Sequence, residues 1–211
     1  MSLKAYEEND IKNIANAIRE KNGSIESYKV SEMSEAIKNI SSGGIIKVIN
    51  GMKFGFSQLT DFSNIDTSET TDFDRFFYNC ALMITSPSNL NSSNVVRTHN
   101  MFQGCSNLVT VKEFDFSNVE GCSNMFYNCS KLENVPVFNG KNVTNATGMY
   151  NGCSKLSDDS LNNIMAFCIS MEKIPTYYKY LNHLKLTSSQ IEKCKTLSNY
   201  EAFINAGWSA S

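Results

Sequence analysis

The sequence predicts an α/β chain: a short solenoid of stacked coils with parallel strands, flanked by an N-terminal pair of helices and a C-terminal helical cap. Three observations predict it. Near-identical octapeptides recur at a fixed interval: MFQGCSNL at 101–108, MFYNCSKL at 125–132 and MYNGCSKL at 149–156. Apolar residues after each cysteine return every third position, a spacing that suits neither a regular strand nor a helix. The ends of the chain instead carry apolar residues at i, i+3, i+4 and i+7, the stripe of an amphipathic helix.

Residues 1–41 come first. Ile11, Ile14, Ala15 and Ile18 share one helical face, and Asn22–Gly23 stops that helix. Ser31 is placed to cap the next one, where Met33, Ala36, Ile37 and Ile40 repeat the spacing. Two such helices bury too little surface to stand alone. Ile11, Ile14, Ile18, Met33, Ile37 and Ile40 are therefore expected to pack on something further. As a cap they would cover the coils; as a docking or oligomerisation module they would meet a partner or a second copy. The flexible SSGG at 41–44 favours the module. Residues 42–58 then read as a joint and an N-terminal cap strand, within IIKVINGMKFGFSQL.

Residues 59–156 hold the repeats. Cys80, Cys105, Cys129 and Cys153 lie 25, 24 and 24 residues apart. Three positions before each stands an aromatic: Phe77, Phe102, Phe126, Tyr150. Three positions after stands Leu108, Leu132 or Leu156, with Leu82 displaced by one in the first copy. Asn94, Asn118 and Asn142, each followed by valine, form a second series. Fixed periods of this length indicate coils that cannot bury their apolar side alone and must stack. The residue before each cysteine is Asn79, Gly104, Asn128 or Gly152, types that adopt positive φ readily, so a helical turn is expected to end there. An extended segment, one short strand per coil, should follow. The cysteines then form a buried column of small hydrophobes, side by side but misdirected for disulfides. The asparagines form a ladder that satisfies backbone groups at a bend. The stretch FSNIDTSETTDFDRFFYNC reads as a divergent first coil, as terminal repeats tend to be.

Residues 157–211 read as a helical cap. Leu161, Ile164, Met165 and Cys168 line one helical face from near Ser157. Thr187 to Gln190 and Ser198 to Glu201 both have capping-box spacing. Gly207 should end the last helix, with Trp208 folding back on it. The tyrosine-rich PTYYKYL at 175–181 is expected to cover the open end of the core, a recognition surface being the alternative.

Chemistry is largely excluded. The net charge is −2 with no basic stripe, which argues against nucleic acid, and no apolar run is long enough for membrane insertion. Seven cysteines without a Cys-x-x-Cys pair, and histidines only at His99 and His183, give no metal site. No catalytic set is present, and the pairs Asp72–Asp74 and Asp158–Asp159 lack an evident partner, so the expectation is a non-enzyme without cofactor. The N-terminus lacks the layout of a secretion signal, so synthesis and folding in a cytoplasm are expected.

The stretch FDFSNVEGCSNMFYNCSKL at 114–132 resembles the BspA-type leucine-rich repeat, and the resemblance covers residues 59–156. It implies a leucine-rich-repeat solenoid of the kind found in bacterial surface proteins and other extracellular binders; the array here is very short. The segments at 11–40 and 180–208 resemble phage and prophage tail or fibre proteins of Gram-positive bacteria. Together these resemblances imply a virion component of tail, baseplate or fibre type, made in the bacterial cytoplasm. Its partners would be other tail or baseplate proteins and a host cell-surface glycan or protein, with a homo-oligomer as a further arrangement. The alternative they imply is an adhesin or protein-interaction module at the bacterial cell surface.

Overall fold

The computed structural model describes residues 46–48, 65–175 and 178–210. The expected N-terminal helices, with Ile11, Ile14, Ile18, Met33, Ile37 and Ile40, lie outside the described residues. The described residues fall into two units. One holds two short parallel strands, β1 (Ile46–Lys47) and β2 (Ile65–Asp66), with Ile46 opposite Ile65 and Lys47 opposite Asp66. The other holds residue 48 and everything described from 67 onward.

In that second unit the chain rises in coils joined by backbone hydrogen bonds. Between Thr98 and Cys105 alternate residues bond in two directions. The N–H groups of Met101, Gln103 and Cys105 donate three residues back, to Thr98, Asn100 and Phe102. Those of Thr98, Asn100, Phe102 and Gly104 donate to the next coil, at Gly121, Ser123, Met125 and Tyr127, over 2.8–3.0 Å. The same pattern links Phe73, Arg75, Phe77 and Asn79 to the coil of Arg97, and Cys122, Asn124, Phe126 and Asn128 to the coil of Asn145. Such tight turning needs two left-handed residues per coil. They are Arg75 and Asn79, Asn100 and Gly104, Asn124 and Asn128, and Gly148 and Gly152. Asparagine and glycine hold all seven of these positions other than Arg75, because a larger side chain is strained at positive φ.

The expected strand in each coil is shorter than the spacing suggested. Coil-to-coil pairing is parallel but confined to single residues, running Asp72 to Arg97 to Gly121 to Asn145, and Thr85 to Thr110 to Asn134.

Inside the coils sit the aromatic and thiol columns. Phe77, Phe102, Phe126 and Tyr150 stack face to face with centroids 5.4, 5.6 and 5.5 Å apart. Cys80, Cys105, Cys129 and Cys153 are buried beside them. Leu108, Leu132 and Leu156 are buried, but in the first coil Met83 fills that position and Leu82 is exposed. Met83 keeps the spacing of three from its cysteine, so no register shift is needed.

The C-terminal part closes the last coil from two sides. Helix α1 (Asp158–Ser170) is capped by the Ser157 hydroxyl, which accepts from the Ser160 N–H, with Asp158 and Asp159 in its first turn. Its Ser160 hydroxyl donates to the Glu133 carbonyl (2.8 Å) and accepts from the Val135 N–H (3.0 Å), and Asn163 donates to the Val135 carbonyl. Ser170 accepts from the Gly140 N–H. On the other side a 3-10 turn, Leu181–Leu184, supplies carbonyls: His183 accepts from the Gly148 N–H and Leu184 from the Tyr150 N–H. The segment thus takes the place of a further coil. Helices α2 (Ser188–Cys194) and α3 (Tyr200–Asn205) pack against α1. The Thr187–Gln190 capping box is present on α2. The one expected at Ser198 is not: α3 has no side-chain cap, because the Ser198 hydroxyl donates to Asn162 on α1. Gly207 adopts φ +81°, and Trp208 folds back on Phe203, 5.7 Å between centroids.

Candidate interaction surface

The stack decides which side chains reach solvent. Residues at one position of the repeat form a row, one per coil, about 4.8 Å apart where the coils pair. Asn94, Asn118 and Asn142 make the first row. Each side-chain amide donates to a carbonyl one coil earlier, on Ser68, Ser93 and Ser117, at 3.1, 2.6 and 2.7 Å. Beside it, Asn91, Asp115 and Asn139 accept from main-chain N–H groups two residues on, at Ser93, Ser117 and Lys141. The Ser117 hydroxyl and N–H hold the Asp115 carboxyl below its ordinary range, so it stays ionised at the surface.

A second region carries charge. Arg97 reaches Asp72 at 2.6 Å and Asp74 at 3.5 Å, which gives that carboxylate pair the partner missing from the sequence reading. Asp158 likewise has a partner, Lys193, at 3.0 Å. Arg97 is over half exposed, so these pairs fix orientation more than they stabilise. The neighbouring His99 packs over Gly121, and its Nδ1 accepts from the Ser123 N–H (3.0 Å).

A third row was not anticipated: Tyr78, Gln103, Tyr127 and Asn151, all half-buried, two positions before the cysteines. The Arg75 guanidinium lies 6.0 Å from the Tyr78 ring centroid. The repeat alignment carried this signal, because every member has a polar hydrogen-bonding tip.

The predicted ladder residues lie elsewhere. Phe77, Phe102, Phe126 and Tyr150, with Cys80, Cys105, Cys129, Cys153, Leu108, Leu132 and Leu156, all face the interior. The sequence reading left the thiols without partners, yet the structure provides them. Cys105, Cys129 and Cys153 donate to the carbonyls of Phe77, Phe102 and Phe126, each one coil back, at 3.1, 3.1 and 3.0 Å. Burial pushes the thiols of Cys105 and Cys153 up to about 12, and that of Cys129 well above its ordinary value. The reactive form is the thiolate, so these groups are poor nucleophiles and poor metal ligands at neutral pH. His99 and His183 bond to the Ser123 N–H and the Thr147 hydroxyl rather than to a thiol. The surface offers amides, hydroxyls, phenols and a few ion pairs at a regular interval, which suits hydrogen-bonded recognition of a polar partner.

A family model described as "Mycoplasma protein of unknown function, DUF285" matches residues 47–164, more than half of the 211-residue chain. No curated protein and no solved structure matches it.

Proposed function

We propose, for a chain that belongs to the Mycoplasma protein family DUF285, a non-enzymatic recognition role, with the stacked coils acting as a leucine-rich-repeat solenoid of the BspA type. The observation that carries this reading is the separation of roles along each coil. Thiols, phenyl rings and leucines hold the interior, while amides, hydroxyls and phenols repeat on the outside. The favoured setting is a phage or prophage tail, baseplate or fibre component. There the N-terminal residues dock on other tail proteins and the repeats or C-terminal part contact a host-surface glycan or protein. The segments at 11–40 and 180–208 motivate that setting.

A second reading is a bacterial surface adhesin or interaction module of the leucine-rich-repeat type, which the regular polar rows on the outside of the coils suit equally. Immunogold labelling with an antibody to this chain separates the two. Label on tails of induced particles supports the virion setting, and label on the envelope of particle-free cells supports the adhesin. A chain found only in the cytosol, with no binding of the purified protein to whole host cells, overturns both.

A further inference from the structure

The polar side chains of the coils fall into two sets. One set is spent on the chain itself. Asn94, Asn118 and Asn142 each donate to a carbonyl one coil back, and Asn107 donates to the Ala81 carbonyl while accepting from Lys131. The other set lies in the turns before the cysteines. Asn100, Gln103, Asn124, Tyr127, Asn128 and Asn151 make no side-chain hydrogen bond among the described residues. All six reach solvent, Asn128 exposed and the others half-buried. Backbone geometry accounts for Asn100, Asn124 and Asn128, which stand at positive φ. It does not account for Gln103, Tyr127 and Asn151.

Main-chain bonds place the six on one face. The Gly104 N–H donates to Tyr127 (2.8 Å) and the Asn128 N–H to Asn151 (2.7 Å), so Gln103, Tyr127 and Asn151 follow one another on successive coils. The Asn100 carbonyl accepts from the Gln103 N–H, and the Asn124 carbonyl from the Tyr127 N–H, which sets each pair side by side across one turn. Residues 99–104, 123–128 and 147–152 contain no Lys, Arg, Asp or Glu. The exposed Lys112, Glu113, Asp115 and Glu120 lie on another part of the coil. Charges flank the face, Asp74 and Arg75 at one end and Lys185 beside Gly148 at the other. The exposed apolar side chains Leu82, Ile84, Val137, Ile169 and Ile204 belong to none of these turns.

Resting on the recognition role above, we propose that this face binds a neutral glycan chain, with the Tyr127 ring as its stacking platform and the five amides as its hydrogen-bond partners. An amide offers two N–H donors and an accepting oxygen, which matches sugar hydroxyls that also donate and accept. A half-buried phenol gives apolar area to the C–H face of a sugar at small entropy cost, while its hydroxyl stays wet. An anionic polymer finds no row of cations here, and a protein partner finds no cluster of apolar anchors. Successive coils lie about 4.8 Å apart, close to the length of one sugar unit in an extended chain.

An array of immobilised oligosaccharides tests this with the intact chain, neutral ones of hexose and N-acetylhexosamine beside sialylated and sulfated ones. Neutral members should be bound, and Tyr127→Ala and Gln103→Ala should each weaken that binding about three- to tenfold. Lys112→Ala should leave it unchanged. Should Tyr127→Ala not fold, NMR of the unsubstituted protein decides: the bound oligosaccharide must shift the side-chain amide signals of Asn100, Gln103, Asn124, Asn128 and Asn151 and spare those of Asn94, Asn118 and Asn142. Binding confined to the charged members, or shifts in the wrong set, overturns the proposal. Attachment of the protein to whole host cells separates it from the wider reading. Attachment lost on periodate oxidation of the cells supports the glycan. Attachment abolished by protease but not by periodate removes the glycan and leaves the recognition role standing, and no attachment with no array binding removes both.

Discussion

At the scale of single residues, stacking imposes constraints that one coil alone does not contain. Gly104 and Gly207 have nearly the same backbone, φ +76° and +81°. A side chain at Gly207 would meet open space, whereas a Cβ at Gly104 would collide with Asn79 Oδ1 of the coil before it. Gly207→Ala should therefore cost only its backbone strain, about 1 kcal/mol. Gly104→Ala should cost about 1–3 kcal/mol more, since it adds overpacking. Urea unfolding midpoints of the two variants measure the difference, and equal losses would refute the contact. The left-handed turns were readable from the Asn and Gly before each cysteine. What could not be read was that Asn79 lies over Gly104 and Asn128 over Gly152, because that fact exists only once two coils are superposed. The thiol donors escaped notice for the same reason: each acceptor carbonyl sits 27 or 28 residues away.

At the scale of elements, the interior leucine of a coil carries more than its neighbours. Leu132 is fully buried between two coils, and Lys131 beside it is exposed. Leu132→Ala should cost about 2–5 kcal/mol, and the cost should shrink at Leu156, which is 8% exposed at the end of the array. Lys131→Ala should be near neutral, within about 0.5 kcal/mol. Thermal or chemical unfolding of the three variants checks the order, and similar losses at Leu132 and Lys131 would remove the layered packing. Local signals told the elements apart well. The Thr187–Gln190 box caps α2 because both partners lie within one turn. The Ser198 box failed because Asn162, on another helix, takes its hydroxyl. Leu82 misled similarly: it looks like the repeat leucine, but Met83 keeps the correct distance from Cys80. The surface rows were only half readable. Repetition revealed the Asn94, Asn118 and Asn142 series, whereas Arg97 bridging Asp72 and Asp74 depends on the 25-residue offset between coils.

For the molecule as a whole, all seven cysteines are buried and unpaired with one another. Ellman's reagent should find no thiol in the folded protein, then label in step with loss of the circular dichroism signal as denaturant rises. Labelling of several thiols well before that transition would mean the interior opens in parts. Desolvation is the cause of this silence, holding even Cys194 at about 11. The alternating bonds between coils have a further consequence. Along Phe73 to Asn79, Thr98 to Gly104 and Cys122 to Asn128, alternate N–H groups donate to the next coil in one repeated pattern, so the join above and the join below are the same join. Growth or loss by whole 24-residue lengths between Cys105 and Cys129 would leave both terminal fittings untouched. Reach can then be set like the rungs of a ladder, about 4.8 Å at a time, without redesigning either end.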